Sequence, residues 1–444
     1  MSSRILLSDH FTYGRLLRFT APAMGTMVFT SIYSVVDGLF VSNLAGKTPF
    51  AALNLIYPFI MFLSVVGFIF GSGGSALIAK RLGEGRHDEA NRIFSMLVYV
   101  GALSGIVFAA VGMPFLDDIS RLLGADEPMV ADCVYYGRIL LIALPFFILQ
   151  LMFHYLLVTA ERPRLGLAVT FVCGGLNMLL DFLFIAVFGL GLKGAAWATA
   201  IAQMVGALIP IVYFIAPNSS PLRLGKPTFD GAPLRQTCIN GMSEFFTNVS
   251  AALVSMLYNY QLMKYIGENG VAAYGIVMYL AFVFAAIMIG YSIGSAPIVS
   301  YHYGANDRDE LHNIFRKSMT LIAAIGVVQF LIAQLLARPL ARIFVSYDPA
   351  LLNLTVRALR VYSVSFLLMG FNSYASAFFT ALNNGMVSAI IATNRTLVCE
   401  TLAVLVLPLV FGVDGIWYAI IFAETAALLL TAAMLTRHRE QYGY

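Results

Sequence analysis

The sequence predicts an all-α integral membrane protein with twelve transmembrane helices, arranged as two lobes of six helices each. The first reason is composition: of 444 residues, 60% are hydrophobic and only 11% are charged, whereas soluble proteins carry about 25% charged residues. The second is the presence of twelve apolar segments long enough for a bilayer, which requires about 20 residues in a helix. The third is an internal repeat that relates the last six segments to the first six.

The apolar segments fall into two groups of six, separated by a polar stretch. This stretch, APNSSPLRLGKPTFDGAP, has the Pro, Gly and Ser content of a linker. The predicted organisation is therefore an N-terminal lobe over residues 1–215, a cytoplasmic linker over 216–234 and a C-terminal lobe over 235–444. The predicted spans lie near residues 16–45, 52–79, 93–116, 134–158, 165–188, 193–215, 235–266, 272–301, 315–336, 355–382, 387–411 and 415–436.

The repeat is clearest at the ends of the second and eighth spans. GGSALIAKRLGEGRHDEANRIF in the first half matches GSAPIVSYHYGANDRDELHNIF in the second, and Gly83 falls on Gly304 at an offset of 221 residues. Since each half holds six spans, the two copies enter the membrane in the same orientation and are parallel repeats. Repeats that rock about a central site are a recurrent transporter architecture, although a channel or a membrane-embedded enzyme can also be duplicated.

Charge and motif content narrow the class of protein further. Most Lys and Arg residues lie at the two termini and in the even-numbered connections, which predicts cytoplasmic termini. The net charge of +4 comes without a basic patch interleaved with aromatics, so no nucleic-acid partner is expected. The chain has neither a P-loop nor a Gly-x-Ser-x-Gly elbow, which argues against an ATP-driven pump and a hydrolase. Four dispersed cysteines form no CxxC pair and are expected to be small buried hydrophobes: Cys133, Cys173, Cys238 and Cys399.

Acidic residues inside the apolar spans are the main functional candidates, because burying a charge in a membrane is costly. No basic residue is expected to pair with them, since Lys193, Lys264 and Arg395 lie at span ends and should extend their charged groups outwards. An unpaired buried acid favours its protonated form, which suits a proton-coupled carrier, and oxygen ligands around it can equally hold Na⁺. These candidates are Asp37, Asp181, Glu244, Glu400 and Glu424.

Some of these acids also have structural interpretations. Asp37 and Asp181 lie well inside their spans, so function is favoured over a purely structural role for both. Asn177 lies four residues before Asp181 and shares its helix face. Glu244 has an asparagine four residues away on either side, so it can belong to a packing network. Glu400 and Glu424 are equally compatible with a coupling role and with simple exposure to a water-filled cavity.

Two further residues in the spans have two interpretations each. His154, with Gln150 one turn before it, is expected to make a helix-packing hydrogen bond rather than to relay protons. Pro22 interrupts the first span about four turns before Asp37, and proline kinks helices. The kink can be a conformational element or a static feature of the span.

Three motifs resemble those of the multidrug and toxic compound extrusion (MATE) family, in the MOP flippase-like superfamily of secondary transporters. They are VVDGLFVSNLAG…AALNLIYP, GSGGSALIAKRLGEGRHDEA and NMLLDFLFIAVFGLGLKGAAWATAIAQ. The resemblance covers nearly the whole chain. It implies a V-shaped molecule in the plasma (inner) membrane whose two lobes alternate between outward-open and inward-open states. It also implies a monomer in membrane lipid that exports cationic or amphipathic small molecules by antiport with H⁺ or Na⁺, without another cofactor and without enzymatic activity.

The resemblance also implies roles for individual residues. A cation site would comprise Asp37, Asn177, Asp181 and Thr199, with the backbone of Ala195 nearby, and these side chains are also the candidate Na⁺ ligands. The bending proline would be Pro22. The tenth span, GFNSYASAFF, lacks an acid that some relatives carry, which leaves a site of that type in question. Candidates for substrate binding or secondary coupling are Glu244, Tyr258, His154, Glu400 and Glu424.

Alternatives to multidrug export remain at this point. A lipid-linked saccharide flippase of the same superfamily is expected to line its cavity with several arginines, but deep cationic residues are scarce here. An exporter of an endogenous metabolite would share every feature described above. A membrane-embedded transferase would carry clustered His, Asp and Glu in interfacial loops, whereas these acids lie in mid-span. A channel would show flux without coupling to a gradient.

Overall fold

The computed structural model describes residues 5–41, 44, 47–226, 228–346 and 348–444, and the regular structure of these residues is entirely helical. Residues 1–4, 42–43 and 45–46 of the predicted N-terminal lobe, Pro227 of the predicted linker and Tyr347 of the predicted C-terminal lobe lie outside the described residues. The end of the predicted first span, 16–45, is therefore described only in part. The α-helices are α1 Tyr13–Phe40, α2 Lys47–Gly83, α3 His87–Gly112, α4 Leu116–Leu122, α5 Glu127–Thr159, α6 Pro163–Asp181, α7 Gly191–Ile215, α8 Gly231–Tyr265, α9 Glu268–Gly304, α10 Arg308–Phe344, α11 Pro349–Ser363, α12 Phe366–Ala381, α13 Gly385–Thr393, α14 Thr401–Phe411 and α15 Val413–Tyr442.

The lengths and composition of these helices match a multi-pass membrane protein. Ten helical segments of the described chain are long and apolar enough to cross a membrane, and α11 with α12, bent by 50° at their junction, forms an eleventh. The remaining predicted span corresponds to α8, a continuous helix of 35 residues. Its asparagines and Glu244 make it more polar than its neighbours. The predicted all-α membrane class is confirmed.

Helix starts are set by side chains that satisfy free backbone N–H groups. Asp126 accepts a hydrogen bond from the Met129 amide at 3.2 Å and so caps α5. In the second half, Asp307 caps α10 and Asp348, followed by Pro349, caps α11. Such caps typically contribute about 0.5–2 kcal/mol each. The positions at which α5, α10 and α11 begin are thus encoded locally.

The hydrophobic core is divided in a way that follows the two halves of the sequence. One cluster of buried side chains is drawn from residues between Val41 and Leu222, and another from residues between Val254 and Ala419. A further cluster joins the N-terminal segment, α1 and α5 to α9, α10 and α12. The two halves are therefore packed internally and also joined through apolar contacts.

The interface between the halves follows the repeat. Gly73 on α2 lies against the backbone of Thr237 on α8, and its repeat equivalent, Gly294 on α9, lies against Thr20 on α1. A β-carbon at either glycine would collide with the facing helix. The α1–α9 and α2–α8 pairs thus make equivalent close contacts, and the glycines of GSGGSA serve helix packing.

The N-terminal segment bridges the two halves ahead of α1. The Leu7 amide donates to the Glu161 carboxylate in the first half at 2.9 Å. The Phe11 amide donates to Glu310 on α10 at 2.8 Å, and the Lys317 ammonium donates to the Phe11 carbonyl at 2.7 Å. After this segment, α1 continues through Pro22 as a single helix.

Candidate cation site and central cavity

Two intramembrane aspartates meet in the first half. Asp37 lies in the last turn of α1, and Asp181 ends α6 where the helix changes to a π-helical turn over Phe182–Val187. The two carboxyl groups are within hydrogen-bonding reach of each other. Among the described residues, no hydrogen-bond partner is found for either Asp181 oxygen or for Oδ1 of Asp37, and all three atoms are buried.

Two carboxylates cannot satisfy each other, because an ionised carboxyl group only accepts hydrogen bonds. Both can be satisfied when a proton is shared between them or when a cation lies between them. The π-helical turn after Asp181 is consistent with this interpretation, since π-helical insertions often occur at functional positions. The Asp37–Asp181 pair is therefore the most direct candidate for cation binding in the first half.

Three tyrosines surround this pair. Tyr33 lies one turn before Asp37 on α1, Tyr57 lies on α2 and Tyr136 on α5, and all three are within electrostatic range of the Asp37 carboxylate. Sequence reasoning missed these residues. The spacing of Tyr33 and Asp37 on one helix face was an available signal, but nothing local connects Tyr57 or Tyr136 to the site.

The other predicted members of the cation site lie on the same group of helices. The Thr199 hydroxyl on α7 is within hydrogen-bonding reach of Tyr136. Ala195, one turn before Thr199, is buried, as is Asn177, one turn before Asp181. Helix α6 packs against both α1 and α7. The structure thus places the predicted residues on adjoining helices and links Thr199 to the aspartates through Tyr136.

The side-chain atoms that could bind a cation at this site are all oxygens, apart from the amide nitrogen of Asn177. Oxygen ligands suit hard cations such as H⁺ and Na⁺, whereas soft sulfur and imidazole groups favour transition metals. Among the described residues, no group of three or more His, Cys, Asp or Glu side chains is arranged to hold a metal ion. The composition of the site therefore favours a monovalent cation over a divalent transition metal.

A cavity of about 300 Å³ lies between the halves, and helices α2, α5, α8, α9 and α12 contribute to its wall. Methionine, isoleucine and alanine side chains line part of it, together with a larger number of serine and threonine hydroxyls. Among the described residues that line it, Glu244 and Arg395 are the only Asp, Glu, Lys or Arg side chains. The cavity thus combines an adaptable apolar surface with a small number of charged groups.

Glu244 reaches this cavity from α8. Ser72 on α2 is within hydrogen-bonding reach of its carboxylate. The flanking asparagines do not bind that carboxylate: Asn248 donates to the Glu244 backbone carbonyl at 2.8 Å, and Asn240 donates to Asn383 at 2.8 Å. The asparagine packing network considered for Glu244 is therefore not formed by its side chain.

The expectation for Arg395 is wrong. Its guanidinium does not extend outwards but forms an ion pair with Glu424 at 2.7 Å, and only 18% of its side chain is exposed. Nε also binds Glu424 at 2.8 Å, and Nη1 donates to Ser373 at 2.7 Å. Asn372 donates to the second Glu424 oxygen at 2.7 Å. Because three polar contacts compensate for its desolvation, Arg395 can be buried. Lys193 and Lys264 are exposed, as expected.

The remaining candidates lie apart from the Asp37–Asp181 pair. Glu400 ends a π-helical turn over Asn394–Glu400 and lies near Arg395 and Glu424. Tyr258 is buried on α8 and its hydroxyl has no hydrogen-bond partner among the described residues. The structure therefore places these second-half candidates at a separate location.

His154 lies on α5, and Gln150, the residue with which it was expected to act, contacts α7 instead. Gln150, one turn earlier, packs closely against Gly206 on α7. No hydrogen bond from the His154 imidazole is found within the described part of the chain. The proposed packing hydrogen bond of His154 is thus not formed, although its neighbour Gln150 contributes to helix packing.

Comparison with known proteins gives a consistent result. The MatE family model matches the chain twice, at residues 22–183 and 245–405, once in each half. A multidrug export protein, MepA, of Staphylococcus aureus (strain MRSA252) is 25% identical over 423 residues, which are 95% of this chain and 92% of the relative. The MepA protein of Staphylococcus haemolyticus (strain JCSC1435) is 26% identical over 419 residues, covering 94% of this chain and 91% of the relative.

Solved structures show the same fold. An outward-facing multidrug resistance MATE family transporter of the MOP superfamily has a TM-score of 0.92 at 21% identity, with 99% of each chain covered. A MOP superfamily transporter from Pyrococcus furiosus Vc1, described as having reversed binding-pocket polarity, has a TM-score of 0.88 at 22% identity, with 96% of each chain covered.

Proposed function

The chain belongs to the MATE family of membrane transporters, and we propose that it exports cationic or amphipathic small molecules by antiport with H⁺ or Na⁺. Its MepA relatives are multidrug export proteins, which supports export of small molecules. The observation that carries the antiport mechanism is the Asp37–Asp181 pair, in which three of the four carboxyl oxygens are buried and have no hydrogen-bond partner among the described residues. The transporter is proposed to act in the plasma (inner) membrane with both termini in the cytoplasm.

Cation binding would change the stability of the first-half helix packing. With both aspartates ionised, two like charges face each other in an apolar environment, which destabilises this arrangement. A proton or Na⁺ removes that repulsion and satisfies the free oxygens. The arrangement in which α1, α6 and α7 pack around the site is therefore favoured when the cation is bound.

Helix α1 offers a route from this site to the substrate cavity. Asp37 lies near one end of α1, while Ala23 and Met24, close to Pro22, pack against Gly290 on α9. The residues next to Gly290 on α9 line the cavity. A displacement of α1 on cation binding would therefore move a wall of the cavity. Antiport requires only that cation and substrate stabilise different conformations.

The charges of the cavity favour a cationic substrate. Arg395 is neutralised by Glu424, whereas Glu244 has no basic partner among the described residues that line the cavity. The uncompensated charge in the cavity is thus negative. A flippase for a pyrophosphate-linked saccharide would need free arginines, and the one arginine in the described cavity wall is engaged in an ion pair. The apolar lining suits the hydrophobic part of an organic cation, and the ring of Tyr155 suits its positive charge through a cation–π interaction.

The proposal is tested with purified protein in proteoliposomes that contain a fluorescent organic cation. An imposed pH or Na⁺ gradient should drive accumulation of the dye, and Asp37→Asn or Asp181→Asn should abolish it. The matched control is Asp118→Asn, because Asp118 is exposed outside the site. If neither gradient stimulates transport by the unmodified protein, the antiport mechanism is wrong.

A further inference from the structure

Two threonine hydroxyls in the wall of the central cavity can only accept hydrogen bonds from a ligand. Thr247 on α8 donates its proton to the Ser243 carbonyl at 2.8 Å, and Thr396 donates its proton to the Ala392 carbonyl at 2.9 Å. A hydroxyl group has one proton and two acceptor lone pairs. Because each proton is bound to a carbonyl one turn back, both threonines offer only oxygen lone pairs to the cavity that they line.

Two hydroxyls on α12 are committed in the same way. Thr380 donates to the Ser388 hydroxyl at 2.8 Å. Ser388 donates its single proton to the Ser376 carbonyl at 2.7 Å, so the contact between the Ser376 and Ser388 hydroxyls at 2.9 Å uses the proton of Ser376. Ser376 and Thr380 line the cavity. Their protons are bound to Ser388, and their oxygens are left as acceptors.

The side-chain amide of Asn372 adds a further acceptor to this wall. Its nitrogen donates to the Glu424 backbone carbonyl at 3.0 Å and to the Glu424 carboxylate at 2.7 Å. A carboxylate only accepts hydrogen bonds, so the amide nitrogen must face Glu424. The amide oxygen Oδ1 has no hydrogen-bond partner among the described residues. Both N–H groups of the amide are thus used within the protein, whereas its oxygen is not.

These acceptors are ordered along two helices. Asn372, Ser376 and Thr380 follow one another at intervals of four residues on α12, which places them on one helix face. We call these three residues the α12 row. On α8, Thr247 lies three residues after Glu244 and shares its face. The cavity is therefore lined by one carboxylate and by a series of neutral oxygen acceptors.

The strongest hydrogen-bond donor in the wall is already engaged. Arg395 is the one Lys or Arg side chain in the described cavity wall, and its guanidinium binds Glu424 and Ser373. The Ser72 hydroxyl is within hydrogen-bonding reach of the Glu244 carboxylate. A ligand in the cavity therefore meets Glu244, Thr247 and the α12 row chiefly as acceptors, and a ligand rich in N–H groups matches them.

We propose that the cavity selects cations that carry N–H groups, namely primary and secondary ammonium, amidinium and guanidinium ions, over quaternary cations of similar size. The selectivity rests on the proposed export of organic cations and names the substrate class within it. Glu244 attracts both kinds of cation, but only an N–H group can also donate to Thr247 and to the α12 row. A quaternary cation would bury these oxygens against methyl groups, and an unpaired buried acceptor weakens binding.

Two fluorescent ligands separate the effect of charge from that of hydrogen bonding. One is a dansyl-labelled primary alkylamine, and the other is its N,N,N-trimethyl derivative. Both carry one positive charge near neutral pH, and only the first has protons on the cationic nitrogen. Their Kd values are measured for the purified full-length protein in detergent, without modification and with Thr247→Val, Ser376→Ala or Glu244→Gln. The matched control is Thr425→Val, because Thr425 also donates to the carbonyl four residues earlier, at 2.7 Å, but is exposed on α15 and absent from the cavity wall.

We expect the unmodified protein to bind the primary amine about tenfold more tightly than the trimethylated ligand, since hydrogen bonds that involve a charged group are the stronger ones. Thr247→Val keeps the shape of the side chain and should remove most of that preference by weakening binding of the amine alone. Ser376→Ala should act in the same direction. Glu244→Gln should weaken binding of both ligands, and Thr425→Val should change neither. An unchanged affinity for the trimethylated ligand shows that Thr247→Val and Ser376→Ala are folded.

Equal affinities of the two ligands for the unmodified protein, or tighter binding of the trimethylated one, would overturn the proposed selectivity. Equal losses for both ligands in Thr247→Val and Ser376→Ala would overturn it as well. Each of these results would leave the proposed export of organic cations intact, provided that either ligand accumulates in proteoliposomes under a pH or Na⁺ gradient. If neither ligand bound or accumulated, the proposed function would fail together with the selectivity.

Discussion

Gly83 and Gly304, which occupy equivalent positions in the two halves, each lie against the other's helix. Gly83, at the end of α2, faces the carbonyl of Tyr301 on α9, and Gly304, at the end of α9, faces the carbonyl of Lys80 on α2. Lys80 and Tyr301 are themselves equivalent at the same offset. A side chain at either glycine would collide with backbone atoms, so the two halves can approach here only because both residues lack a β-carbon.

Gly304→Ala should therefore shift the protein away from the conformation in which α2 and α9 touch. Overpacking costs about 1–3 kcal/mol, which corresponds to a population change between about fivefold and a hundredfold. Spin labels at Arg86→Cys and Arg308→Cys would measure the separation of the two helix ends in a background without the native cysteines. Gly275→Ala is the matched control, because no atom lies within 4 Å of a β-carbon built at that position of α9. Equal distance distributions for both variants would show that the glycine contact does not control closure.

Asp181→Asn should separate uphill transport from exchange at equilibrium. The variant removes the charge that a proton or Na⁺ would neutralise, so gradient-driven accumulation of an organic cation should fall to the background level. Exchange of labelled for unlabelled substrate at equal concentrations needs no net cation movement and should be retained to a greater degree. Loss of both activities in a folded variant would instead assign Asp181 a structural role.

Glu244→Gln should weaken the binding of cationic substrates. Hydrogen bonds and ion pairs with charged groups contribute about 1.5–3 kcal/mol, so the Kd for an organic cation should rise between about tenfold and a hundredfold. The Kd for a neutral ligand of similar size should change little. Ser72→Ala removes the hydroxyl near Glu244 but not the charge, and its effect should be smaller. Equal losses for cationic and neutral ligands would contradict the role given to the charge.

Arg395→Met should destabilise the protein strongly by leaving Glu424, whose side chain is 3% exposed, without its partner. Removing one member of a buried ion pair costs about 3–5 kcal/mol. The double variant Arg395→Met, Glu424→Gln removes both charges and should recover most of the lost thermal stability. Melting temperatures in one detergent would measure this. If the double variant were no more stable than Arg395→Met alone, the ion pair would not be the source of the effect.

Much of the fold was predictable because membrane spans depend on local composition. The apolar segments and the repeat indicated the arrangement of helices, and the described helices agree with them. The exceptions are instructive: α8 is more polar than most spans because it carries Glu244, Asn240 and Asn248. The tenth span is divided by a bend of 50° between α11 and α12, which no proline or glycine at that junction signals.

The candidate functional residues were predictable only in part. Asp37 and Asp181 stand out in the sequence because acids are costly within apolar spans, and the structure brings them together. Tyr57 and Tyr136 do not stand out, since tyrosines are ordinary residues of membrane helices. The position of Arg395 was predicted wrongly because its burial depends on Glu424, Ser373 and Asn372, which come from other helices. Pairing across helices cannot be read from spacing within one helix.

The most direct test of coupling measures substrate binding while the cation concentration is varied. If the cation weakens substrate binding, thermodynamic linkage requires that the substrate weakens cation binding by the same factor. The Kd of a fluorescent organic cation for the purified protein would be measured across pH and Na⁺ concentration, with and without Asp37→Asn and Asp181→Asn. The mechanism predicts that affinity falls as the coupling cation increases in the unmodified protein, and that this dependence is greatly reduced in both variants. An unchanged dependence in both variants would show that the Asp37–Asp181 pair does not couple cation binding to export.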